Sequence, residues 1–411
     1  MDEHRTRGRM FGLAAAMVTA ALVMAGCAPI GADAGDSGSD EPIRIGATVP
    51  LSGVLAGFGS FLKWGYEHAV EEINADGGIE IDGVKRPVEL TLVDDKSDPN
   101  EVTTQTRTLI SNTGVDALLG SCTPDLSNPG AVVADSQGVP FVTACNPVEV
   151  FKGVKEWTYA WDIFFSIPEL SGATFETLKA TGVETNKKVF MMHDNGPDGM
   201  IVGTEIWPAL AEANGYTVVG NEEFPVDNTD FSAALQKGKD SGADILLIDS
   251  ITPAAISIRK QMAAIGWNPK AIVAEKGGEP IQFAEALGEL ADGVMVGAYW
   301  DPSFDYPGAA DLRDAFESET GLTSSQHIAD SYTAAMVLLD AIAAAGSLDP
   351  DEINEAISKT DADYAVGHVK FGENNAATIP VAQSQWQNGV PVIVWPLDQA
   401  TGEFLFPMPA H

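Results

Sequence analysis

The segment from Ile43 to Ile79, IRIGATVPLSGVLAGFGSFLKWGYEHAVEEINADGGI, constrains the fold of this chain more than any other. Ile43, Ile45, Ala47 and Val49 alternate with polar or small residues, the period of a short strand. Pro50-Leu51-Ser52-Gly53 ends it. Phe61, Trp64, Tyr66, Ala69, Val70 and Ile73 then recur at helical spacing. Asp76-Gly77-Gly78 stops that helix, because glycine takes the left-handed turn a helix end needs. In an open parallel sheet, ligands meet the loop between such a strand and its helix. Here that loop carries Ser52, Gly53, Gly57, Phe58 and Gly59: a hydroxyl, an aromatic face and small residues that let a ligand approach the backbone.

The same rhythm continues. Val88–Val93 reads as a second strand, and Asp98 before Pro99 caps the next helix. Val115–Leu119 and Val139–Val142 are further strands, opening into Cys122–Asp125 and Cys145–Pro147. This βαβαβαβ order argues an α/β fold with a parallel sheet and right-handed crossovers. The aromatic run Trp157–Phe165 interrupts it. The rhythm resumes with strands at Lys188–Met192, Tyr216–Gly220, Ala243–Ile248, Ala271–Ala274 and Val294–Trp300. Two helices and three closing strands, HVKF, PVAQSQW and VPVIVWP, follow. The 411 residues suffice for two domains.

Strand, PLSG, FG and a helix ending INADGGI together resemble the start of the leucine-binding-protein family, the type I solute-binding proteins of ABC importers. DDKSDP, GVPFV, HDN, DFS and PVAQSQWQNG extend the resemblance over roughly residues 42–396. It implies two Rossmann-like lobes, the type I periplasmic-binding-protein fold, joined by three hinge crossovers. The expected lobes are 42–164 plus 299–368 and 165–298 plus 369–411, with the third crossing near Gly367–Gly372. It further implies an extracytoplasmic binding protein, not an enzyme, that closes on a small solute and delivers it to permease subunits. No cofactor or metal is expected.

The strand-end loops and crossings supply the candidate ligand-binding residues: Ser52, Phe58, Thr123, Asp125, Cys145, Asn146, Trp161, Asp198, Ser250, Glu275, Lys276 and Trp300. Several depart from the amino-acid-binding members. Thr123-Pro124-Asp125 keeps a hydroxyl but adds proline and an acid. Pro147 stands where those members use threonine, and has neither hydroxyl nor amide hydrogen. Asp198 replaces a frequent tyrosine. Lys276, with Glu275 beside it, falls where a glutamate pairs with the ligand ammonium; a lysine there would repel an ammonium and attract a carboxylate. Which of the two faces the ligand stays open. The expected solute is a small polar or carboxylate molecule: an amino acid, an amide, or an aromatic or keto acid.

Arg5, Arg7 and Arg9 precede an apolar run from Phe11 to Met24, the pattern of a secretory signal. Met24-Ala25-Gly26-Cys27 resembles a lipobox, which implies cleavage after Gly26 and lipidation of Cys27. Residues 1–26 are thus expected to be a signal peptide and 27–41 a flexible tether to the membrane's outer face. Removing three arginines and two acids leaves 20 basic and 57 acidic residues, a net charge of −37. Such a surface repels nucleic acid. Cys122 and Cys145 follow strands expected to be neighbours, so they either bridge or stand as two small buried thiols.

Two other readings are a ligand-sensing receptor of the same fold and an amide hydrolase. Against the latter, the chain has no GxSxG elbow, and His193-Asp194, its one catalytic-looking pair, has no evident nucleophile.

Overall fold

The structure is a computed structural model in which residues 41–410 are described. The signal, the tether and Cys27 expected for residues 1–40 lie outside the described residues.

Two sheets organise the described chain. The first has six parallel strands, ordered Ala376–Thr378, Ala160–Phe164, Phe141–Thr143, Ala117–Leu119, Ile43–Val49, Val88–Asp94. Chain order therefore reverses beside Ile43–Val49, where Ile43 pairs with Val88 on one side and Ile45 with Ala117 on the other. The second sheet has the same reversal beside Lys188–Asp194, which lies between Thr217–Phe224 and Ile245–Ser250. Ala271–Lys276 and Val294–Ala298 continue it in parallel, and Ala382–Gln387 and Val390–Trp395 close it antiparallel. A crevice opens at such a reversal because the helices on its two sides leave on opposite faces of the sheet.

The local chemistry explains the elements. Ile245–Ser250 is buried throughout, as a central parallel strand covered on both faces must be. Asp98 caps the helix Pro99–Thr108, its Oδ1 accepting from Asn100 N at 2.8 Å. The helix Ala56–Ala75 buries Phe58, Phe61, Leu62 and Tyr66 and ends at Gly77 and Gly78, with φ of +94° and +84°. It packs on the apolar helix Gln326–Ala345, which returns to the first sheet from late in the chain. A Cβ on Gly65 would lie 2.1 Å from Ser331 Oγ, so the two helices touch almost backbone to backbone.

The third crossing is later than the sequence suggested. Gly367–Lys370 pairs with Asp361–Tyr364 as a hairpin, and Ala376–Thr378 then adds in parallel to the edge strand Ala160–Phe164. Residues 369–378 therefore stay with the first sheet, and the chain crosses between Thr378 and Ala382. A three-residue edge strand has too short a pattern to reveal which sheet it joins.

Candidate functional site

A cavity lies where the strand ends of the two sheets face each other. Phe58, Thr123, Pro124, Cys145 and Pro147 come to it from the first sheet's loops. Asp198, Asp249, Glu275, Lys276 and Glu279 come from the second. Phe164, Phe165, Ile167 and Leu170, where the chain passes from one sheet to the other, supply an apolar wall.

Three lining residues hold left-handed backbone although none is glycine: Thr123, Cys145 and Lys276, with φ of +67°, +66° and +60°. Each costs on the order of 1–3 kcal/mol, and such strain persists where the surroundings over-determine it. At Cys145 the determinant is covalent. Cys122 and Cys145 form a disulfide, Cα atoms 5.0 Å apart, that ties the two loops together. Thr123 N–H donates to Cys145 O at 3.0 Å across the same junction. Thr123 Oγ1 is buried and has no hydrogen-bond partner.

Lys276 closes the second lobe's side. Its Nζ lies 3.0 Å from Asp194 Oδ2, 3.1 Å from Asp198 Oδ2 and 3.2 Å from Asp249 Oδ1. Burial alone would lower the lysine's pKa, but Asp198, Asp249 and Asp194 overrule it and carry it well above its ordinary value. Burial also pushes Asp249 well above the usual carboxylate range, against the pull of Lys276. Glu275 points the other way, to the back wall. It accepts from Ser171 Oγ at 2.9 Å and Trp207 Nε1 at 3.4 Å, and burial raises it to about 7.

Beneath Phe58 sits a third group. His327 meets the Phe58 ring edge-on at 5.0 Å between centroids. Its Nδ1 lies 2.9 Å from Asp330 Oδ2 and 2.8 Å from the Tyr299 hydroxyl, and its Nε2 lies 3.5 Å from Glu279 Oε2. Burial opposes the imidazolium, yet Asp330 and then Glu279 raise His327 to about 9, so it is charged at neutral pH. His327 belongs to the first lobe's helix and Glu279 to the second lobe's loop, so this contact spans the cleft.

Phe58, Thr123, Cys145, Asp198, Glu275 and Lys276 line the cavity, and both Glu275 and Lys276 reach it. Asp125 lines an adjoining recess beyond Thr123 and Lys276. The other expected residues do not line it. Ser52 is exposed, its Oγ donating to Asp94 Oδ2 at 2.7 Å. Asn146 is buried behind the wall, bonded to Asn128. Ser250 is buried at its strand end. Trp161 packs edge-on against Phe371 and donates to Asn354, on the far side of the first sheet's edge. Trp300 lines a separate groove with Arg313 and Trp386. An alternating strand sends neighbouring residues to opposite faces, which is why proximity in sequence misplaced Trp161 and Ser250.

One expectation about charge also changes. Lys276 is no free cation, since three carboxylates hold it. At His193-Asp194, for which the sequence offers no nucleophile, the His193 ring is covered by Gly203 and the Asp194 carboxylate is taken by Lys276. Sequence reasoning missed Glu279 and His327. Neither stands at the end of a strand, and His327 arrives from a helix more than 180 residues beyond Cys145, so no local pattern announced it.

Comparison with known proteins agrees with this architecture. A Leu/Ile/Val-binding protein homolog of Brucella abortus is 27% identical over 381 residues, covering 89% of this chain and 93% of its own. The branched-chain amino acid transporter substrate-binding protein of Streptococcus pneumoniae, solved with isoleucine, superposes with a TM-score of 0.75 at 24% identity over 89% of this chain and all of its own. An ABC-transporter solute-binding protein of R. palustris, solved with benzoate, gives 0.74 at 18% identity over 90% and 97%. The periplasmic binding protein model matches residues 42–390. The chain belongs to the periplasmic binding protein family.

Proposed function

We propose that this protein captures a small organic solute in the cavity between its lobes, closes on it as a hinge, and delivers it to the membrane subunits of an ABC importer. The observation that carries this reading is the cavity itself. It is compact, drawn from both lobes in near-equal measure, and placed at both reversals of strand order. Closure excludes water and strengthens each polar contact inside. The lobes touch across the cleft at His327 and Glu279, and a Cβ on Gly57 would lie 3.5 Å from Gln282 Oε1. Relatives solved with isoleucine and with benzoate bracket the solute's size and support a molecule with an apolar or aromatic body. Lipidation at Cys27 would keep the protein beside its permease, moored outside the cell; two lobes built to close leave the three crossings as hinges.

The test is a thermal-shift screen of the full chain over amino acids, amides, aromatic acids and amines, with scattering on each hit. A solute at a hundredfold its Kd adds about 2.7 kcal/mol of stability by mass action. The expected result is a concentration-dependent rise in Tm with a smaller radius of gyration. Failure of every compound to do either refutes the reading. Acylation is tested separately by palmitate labelling, which Cys27→Ala abolishes.

A further inference from the structure

We propose that the solute carries a protonated nitrogen and no carboxylate: a compact ammonium on an apolar or aromatic frame, held by Glu279 and Asp249 and walled by Phe58, Phe164 and Phe165. This rests on the solute-capture reading above and assigns the solute's charge.

The cavity's own charges lead there. Only Lys276 and His327 among its lining residues are cationic, and each is already matched by carboxylates in excess. Lys276 is held by three aspartates, and His327 lies between Asp330 and Glu279. An entering carboxylate therefore finds no free positive partner, and it meets the fields of Asp198 and Glu279. An entering ammonium finds acceptors with spare capacity. Asp249 Oδ1, 3.2 Å from Lys276 Nζ, completes no hydrogen bond, and Asp249 is only 3% exposed. Glu279 has His327 as its ion-pair partner, at the long distance of 3.5 Å.

The backbone agrees. A ligand carboxylate would be held by hydroxyls and amide hydrogens at the first lobe's strand ends. Pro124 and Pro147 remove an N–H at each of the two loops facing the cavity. Asp125 puts its own carboxylate in the first turn of the helix Pro124–Gln137, where a bound anion would gain from the helix dipole. Thr123 Oγ1 remains as a lone donor, and a hydroxyl serves a neutral or cationic solute equally well. Phe58, Phe164 and Phe165 line the cavity, and an aromatic ring attracts a cation that meets its face in a desolvated site.

The experiment uses the full chain in mild detergent and matched probes on one frame: 2-phenylethylamine, phenylacetate, phenylalanine and phenylacetamide, with isopentylamine, isovalerate and leucine as the aliphatic set. Affinities come from calorimetry. The expected order places an amine at least tenfold tighter than its matched acid, zwitterion and amide. Glu279→Gln is expected to weaken the amine at least tenfold while the variant keeps a cooperative thermal transition. Should that variant fail to fold, the order among probes on the unaltered chain decides alone. A carboxylate, zwitterion or amide that binds as tightly as its amine overturns the charge assignment and leaves solute capture standing. Binding of no probe, with no hit in the wider screen, overturns both.

Discussion

Glu275→Gln provides a test of the site's electrostatics that needs no ligand. Glu275 is 5% exposed and packed against Ser171 and Trp207, and its carboxyl stands at about 7 against an ordinary 4.5. Between those values the folded chain holds a proton that the unfolded chain has released. The unfolding free energy therefore falls as pH rises from about 4.5 to about 7 and stays low above. At about 1.4 kcal/mol per unit, the displacement is worth about 3 kcal/mol. Glutamine has nearly the same shape, keeps an acceptor for Ser171 Oγ and cannot ionise. Wild type and variant should thus be about equally stable near pH 4.5, and the variant should lead by up to about 3 kcal/mol at pH 8. Urea unfolding at half-unit steps, with an unchanged m value, measures the gap directly. A gap that does not vary with pH, or a variant weaker at pH 8, would refute the claim that Glu275 ionises at a cost.

Lys276→Met strands Asp194, Asp198 and Asp249 without their counter-ion, and should cost about 3–5 kcal/mol at pH 7 by thermal unfolding. That loss should shrink in acid, as the carboxylates protonate; a loss below about 1 kcal/mol would mean the cluster is solvated. Replacing both Cys122 and Cys145 by serine opens a loop with a separation of 23 residues and should cost about 3 kcal/mol, a difference that vanishes when the wild type is assayed in reductant. Gly65→Ala forces a methyl to 2.1 Å from Ser331 Oγ and 2.9 Å from Tyr332 N, and should destabilise by about 1–3 kcal/mol in chemical unfolding. A neutral effect there would show the helices free to part.

The fold was legible because its signals are local. The alternation in Ile43–Val49, the Asp98-Pro99 cap and the Gly77-Gly78 stop each act within a few residues, and together they fix the βα rhythm. The cavity was legible where a residue ends a strand or lies within a few positions of its end, as Lys276, Cys145 and Thr123 do. What escaped depends on distant pairing. Whether Ala376–Thr378 joins the first sheet or the second is decided by which edge is free, and nothing in three residues states that. Lys276 illustrates the same limit in charge. Its sequence neighbour is one glutamate, whereas its partners at 3.0–3.2 Å come from 27, 78 and 82 positions away. A lone cation in sequence thus became the centre of an acidic cluster in space, and the expected attraction for a carboxylate reversed.

Repulsion and attraction oppose each other across the cleft, and that opposition is what lets a solute decide the closure. Asp125 of the first lobe feels Asp198 and Asp194 of the second as repulsion and Lys276 as attraction, and burial together with Asp198 leaves its pKa raised. His327 with Glu279 is a second attractive cross-lobe contact, and its charge–charge part exists only while His327 is an imidazolium. Against burial, Asp330 of its own helix and then Glu279 raise His327 to about 9, so the positive charge that Glu279 meets across the cleft is lost as pH climbs through 9. Asp330 and the Tyr299 hydroxyl face the same ring from within the first lobe's helix and from the crossing, and they hold the ring in place without spanning the cleft. Ligand-free protein should therefore expand between pH 7 and 10, seen as a larger radius of gyration, and His327→Gln should remove that dependence. If the wild type keeps one radius across the range, the cleft is held shut by its apolar walls, and the argument from His327 fails. If it expands, the closed form is favoured by only a few kcal/mol, within reach of one buried ammonium meeting Glu279.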